Sequence, residues 1–232
     1  MSEYQFGENN MNILGGDNEH FGYNYQAAPV QQRAAAATSP ETERAGGHAA
    51  HTHDRSRSVF VVHGRDEEVR KAMFGLLRRL DLRPLEWEEL VRATGTASPF
   101  LGEVVAGAPA LAQAALVLLT PDDVAKLHPQ LLGNAEPDYE TRLTGQPRQN
   151  VLIELGMVLM AYAERTVIVE VGRLRPAADI AGRNVIRFDG SEESLMKIVA
   201  RLKVAECRLD DSRPDWRDTS HFQDLSAHRR LA

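Results

Sequence analysis

From Ser58 onward, short β-branched runs alternate with segments of helical period. "SVFVVHG" (58–64) reads as a buried strand. "RDEEVRKAMFGLLRRL" (65–80) reads as an amphipathic helix, with Val69, Met73, Leu76, Leu77 and Leu80 on one face. Its acids lie in the first turn and its arginines in the last, as the helix dipole favours. "LRPLEWE" (82–88) predicts a second strand carrying Trp87, and Pro84 confines that strand to a sheet edge. A loop, "ELVRATGTA", leads to a short helix capped by Ser98, opened by Pro99 and ending near Gly107. "AALVLLT" (114–120) is the most continuous strand, followed by a long polar connection over 121–147. A connection of that length is either functional or holds small elements of its own. An apolar helix (148–163), a strand (165–172), a strand (184–190) and a closing helix (191–206) complete the pattern. Five strands alternating with helices predict an α/β fold, a flavodoxin-like doubly wound five-stranded parallel sheet.

Composition divides what precedes this zone. Residues 1–26 hold no Lys or Arg, yet carry five of the chain's twelve Phe and Tyr. Residues 27–57 are rich in Ala, Thr, Ser, Pro, Gly and His and predict a flexible linker reaching about 30 Å root-mean-square. His48, His51 and His53 lie there, as a solvated run or a weak metal site. Residues 207–232 are assigned as a C-terminal tail. The net charge of −6 leaves no footprint for nucleic acid or anionic membrane. The single cysteine, Cys207, excludes an internal disulfide and fits a reducing, cytoplasmic setting. The N-terminus shows no signal-peptide pattern, and the longest apolar segment is too short to span a bilayer. No Walker A loop, GxGxxG or zinc spacing occurs.

Candidate chemistry gathers where strands end, since parallel sheets bind ligands at their carboxyl edge. Those ends carry His63, Gly64, Arg65, Trp87, Thr120, Asp122 and Asp123, with Arg148, Asn150 and Glu154 on the following helix. Glu154 interrupts "RQNVLIELGMVLMAYA". A buried carboxylate is costly unless paired, hydrogen-bonded or protonated. It is either a structural ion pair with Arg65, Arg148 or His63, or a functional acid. His63 and Arg65 either touch phosphate or ribose, or pack and solvate. Trp87 stacks on a ring or joins the core. Asp122 and Asp123 bind a hydroxyl or cap a helix. Gly156 is expected to let its helix approach the sheet.

"VFVVHGRDEEVR", "LVLLTPDD" and "RQNVLIELG", in that order over 58–206, resemble bacterial Toll/interleukin receptor (TIR)-like domains. The resemblance is to the TIR-like group, once labelled predicted nucleotide-binding proteins, that serves in antiphage defence. It implies cleavage of NAD, as substrate and with no other cofactor and no metal, to nicotinamide and an ADP-ribose product, with Glu154 as the essential acid. It further implies self-association. The loop "ELVRATGTASPF" departs from the more polar Gln/Gly/Lys run expected there, the run to which the nicotinamide and adenine contacts are usually assigned. Two alternatives stand beside this reading: a nucleoside deoxyribosyltransferase-like enzyme, and a non-catalytic TIR-like scaffold.

The first zone alternates apolar and polar positions around a Gly-Gly-Asp-Asn turn, with Ile13, Gly15, Gly16, Asn18 and Phe21 as its core. An isolated hairpin is marginal in water, whereas stacking across chains satisfies every backbone group. The segment resembles short bacterial amyloid signalling motifs and, more loosely, the receptor-interacting homotypic interaction motif of animal necroptosis proteins. That resemblance implies a sensor partner carrying a matching motif, and clustering as the trigger. The alternatives are a hairpin docked on the globular domain or an unstructured tail.

Overall fold

A computed structural model of the chain describes residues 54–177, 180 and 182–230. The interaction motif at Ile13, Gly15, Gly16, Asn18 and Phe21, the histidine run and most of the linker lie outside the described residues.

The sheet follows from the alternation in its strands. In β1 (Ser58–Val62), Val59 and Val61 face one layer while Phe60 and Val62 face the other. Helix α1 (Glu67–Arg79) buries Val69, Met73, Phe74, Leu76 and Leu77, and Leu80 just beyond it. Asp66 caps α1, its carboxylate accepting the Val69 N–H at 3.0 Å. β2 (Arg83–Leu85) is an edge strand with Pro84 opposite Val59. It is shorter than the sequence pattern suggests, and Trp87 does not lie on it. Trp87 instead opens α2 (Trp87–Ala93), because the Glu89 carboxylate accepts the Glu86 N–H at 3.1 Å and fixes the helix start. Acid-rich "EWEEL" favours a helix start over strand continuation. The next helix, α3 (Leu101–Leu111), starts after Phe100 and not at Ser98 and Pro99; Glu103 accepts the Phe100 N–H at 3.2 Å and fixes its beginning. Pro109 near its end costs the helix little, since β3 (Ala114–Leu119) follows at once.

The polar connection holds a small ribbon. β4 (Asp123–Ala125) pairs antiparallel with β5 (Thr144–Gln146), and between them lie a 3-10 turn at Pro129–Leu131 and α4 (Asp138–Thr141). α5 (Gln149–Ala161), β6 (Thr166–Val171), β7 (Ile186–Phe188) and α6 (Glu192–Val204) complete the domain. The main sheet is parallel throughout, in the order β2-β1-β3-β6-β7. That is the flavodoxin-like order, with its switch point between β1 and β3. Leu195, Ile198, Val199 and Leu202 of α6 share one apolar layer with α1; α2, α3 and α5 share the other.

Residues after α6 continue the first layer. Three 3-10 turns, at Pro214–Arg217, Thr219–His221 and Ser226–His228, set Trp216, Phe222, Leu225 and Ala227 into the core. Phe222 meets Phe188 edge to face at 5.2 Å, and the Ser226 N–H donates to Glu68 at 2.9 Å. This strap passes so close to Gly172 and Gly190, both at φ 81°, that a β-carbon at either would press on the carbonyl oxygen of Ala227 or Phe222. At the other end, residues 54–57, counted with the linker in the sequence, form a 3-10 turn whose Ser56 carbonyl accepts the Arg208 N–H at 2.8 Å.

Candidate functional site

The loops after β1 and β3 meet at the switch point and lock together. The Asp122 carboxylate accepts the Arg65 backbone N–H at 2.7 Å and the Thr120 hydroxyl at 2.8 Å. A β-carbon at Gly64 would overlap Asp122 Oδ2, so glycine is what lets the two loops touch. The Asp122 side chain is only 3% exposed. His63, Gly64, Arg65, Thr120 and Asp122 are thus one constellation. Its inner members bond to one another, and the Arg65 side chain projects from an exposed position. His63 Nδ1 lies 2.9 Å from the Gly64 carbonyl oxygen, with its ring edge-on to Phe74. Asp122 and Asp123 cap no helix. Asp123 opens β4 and pairs with Arg148 at 3.4 Å.

Glu154 stands apart from these pairs. α5 runs back from the carboxyl edge, and Glu154 lies about 7.5 Å along it at 1.5 Å per residue. Val151, Leu155 and Val158 are buried on the layer that also receives Trp87, while Glu154 is half-buried beside them. Burial alone holds its carboxyl above the usual carboxylate range; no charge or hydrogen bond among the described residues offsets it. Of the two alternatives for Glu154, the structural ion pair is therefore absent among those residues, since Arg148 turns to Asp123 and His63 to backbone. Asn150, one turn earlier, is exposed. Gly156 does not serve close packing: it is exposed, and a β-carbon there would meet nothing within 4 Å. Trp87 is half-buried, its ring tilted against Phe60 at 6.4 Å.

The sequence gives no hint of Arg230. Its guanidinium donates to Asp66 Oδ2 at 2.9 Å, to the Pro121 carbonyl at 3.2 Å and to Ser226 Oγ at 3.0 Å, and lies 4.0 Å from Asp122. With Arg142, Arg173 and Tyr139 it also borders a cavity of about 410 Å³ beside the end of β6. Glu154 does not line that cavity. Among the described residues no group of His, Cys, Asp and Glu could hold a metal ion, and no helix is long and apolar enough to cross a membrane. Cys207 is buried, which pushes its thiol up to about 12, out of the range of a nucleophile at neutral pH.

No curated protein matches the chain. A family model described as "CAP12/Pycsar effector protein, TIR domain" matches residues 58–190, from the start of β1 through the turn after β7 and including Glu154. With a parallel sheet in flavodoxin-like order beneath that match, the chain belongs to this family of bacterial TIR-like antiphage effectors.

Proposed function

We propose that the protein cleaves the N-glycosidic bond between nicotinamide and ribose in NAD, with Glu154 as the catalytic residue. The observation that carries this reading is an uncompensated, half-buried carboxylate on the helix at the sheet's carboxyl edge. Such a group is costly in the free protein, and a ligand that presents positive charge relieves the cost. In NAD the pyridinium nitrogen already carries the charge. When the C1′–N bond breaks, its electron pair goes to that nitrogen and nicotinamide leaves neutral, with no proton required. Positive charge then develops on the ribose, where Glu154 stabilises it and binds hydroxyls. Water adds to C1′ and gives up its proton, which Glu154 can accept.

Arg65, Arg148 and Asn150 supply the anion-binding side of this scheme. Arg65 is exposed beside the switch point, and Arg148 and Asn150 flank the free N–H groups that open α5. Trp87 offers a ring face near the same layer. Self-association supports the scheme from outside the site: Ile153 and Met160 on the solvent side of α5 are 54% and 90% exposed, as befits a surface that meets another copy. Clustering by the N-terminal motif, on a sensor carrying a matching one, would bring such surfaces together through the linker.

The test is Glu154→Gln in protein clustered artificially, with nicotinamide release followed from NAD. Turnover is expected to fall by about three orders of magnitude while the unfolding transition stays cooperative. Near-wild-type turnover removes Glu154 from the mechanism. Cleavage of deoxynucleosides in place of NAD would assign the protein to the deoxyribosyltransferase class.

A further inference from the structure

The match to the family model covers residues 58–190, and the chain after α6 returns to the carboxyl edge of the sheet and places a guanidinium at the switch point. Two nearly buried carboxylates face that guanidinium. The side chains of Asp66 and Asp122 are 2% and 3% exposed, and Arg230 is the cation the structure brings to both. Each carboxylate has a second task on the loop between β1 and α1. Asp66 caps α1 through the Val69 N–H, and Asp122 holds the Arg65 N–H with Gly64 pressed against it. The Pro121 carbonyl, also bonded to Arg230, fixes the far side of the same junction.

We infer that Arg230 is a positioning residue: it clamps Asp66 and Asp122, and through them sets the Gly64–Arg65 loop that presents Arg65 to an anionic substrate. The strap is shaped to deliver it. Ala227 wedges over Gly172, the Ser226 N–H is held by Glu68, and Ser226 Oγ accepts from Arg230 itself. A guanidinium suits this place because it bonds a carboxylate, a carbonyl and a hydroxyl at once from fixed directions; an ammonium supplies the charge without the fork. The role of the loop toward substrate rests on the NAD reading above. The clamp itself does not.

The experiment compares the full-length wild type with Arg230→Ala, Arg230→Lys and, as a control in the same turn, Arg229→Ala, whose guanidinium pairs with exposed Asp224. Amide hydrogen exchange reads the clamp directly. In Arg230→Ala, exchange of the Arg65 and Val69 amides is expected to speed up tenfold or more, while α6 amides keep their protection. With clustered protein, KM for NAD is expected to rise about tenfold with kcat nearly unchanged, and Arg230→Lys to recover part of the loss. Uniformly faster exchange in every element would mean a structural brace only. Unchanged exchange at Arg65 and unchanged KM would overturn the inference. Faster exchange at Arg65 in a protein that releases no nicotinamide would keep the clamp and remove the NAD reading.

Discussion

Glu154 carries a cost that its surroundings leave uncompensated. Burial raises its carboxyl above the ordinary value near 4.5, so the folded chain holds this proton more tightly than the unfolded chain does. Stability from such a group is fully present below the unfolded value and is lost as pH rises through the folded one. Glutamine resembles the protonated form at every pH. Glu154→Gln should therefore melt at a higher temperature than wild type at pH 7.5, and the difference should shrink as pH approaches 4. Thermal scans across that range check it; an equal or lower melting temperature at pH 7.5 would mean a partner offsets the charge. The acid itself is legible in the sequence, because a lone carboxylate among apolar neighbours stands out. Arg230 is not, because a terminal "HRRL" carries no period and its meaning lies in residues 108 and 164 positions away.

Among the elements, α1 shows how local chemistry fixes the site. Its cap, Asp66, is also a clamp residue, so two substitutions separate the roles. Asp66→Ala should cost about 1–2 kcal/mol for the cap alone, with more for the lost partner of Arg230. Asp66→Asn keeps an acceptor for Val69 and should recover most of the cap contribution. Urea melts of both variants measure this, and equal losses would show that charge, not capping, dominates. The long strands and the amphipathic helices α1 and α6 are legible because their periods are strong. α2 is not, because a three-residue strand and an acidic helix start share "RPLEWEEL" without a turn residue between them. The β4–β5 ribbon is too short and polar for a period to register.

At the scale of the molecule, one apolar layer is closed from outside the matched domain. Trp216 and Phe222 are buried side chains, each contributing about 1.5–3 kcal/mol by burial, a large part of a typical margin of 5–15 kcal/mol. Deleting residues 207–232 should accordingly abolish a cooperative urea transition, whereas deleting 1–26 should leave it in place and remove only activation in cells. A cooperative transition in the first truncation would show that α1 and α6 close the layer unaided. The strap looks like a tail in the sequence because three 3-10 turns leave no repeating apolar spacing, and isolated aromatics do not reveal their partner.

The burial of Trp216 and Phe222 in the layer they share with α1 also sets a timetable. A ribosome releases β1 and α1 about 150 residues before those aromatics, at about 5–20 residues per second. For roughly 7–30 seconds the part of the α1 flank that the strap covers stays open, while the N-terminal segment has already been made. During that interval the open flank is exposed apolar surface, and a chaperone that covers it until the strap arrives would keep the nascent chain from aggregating.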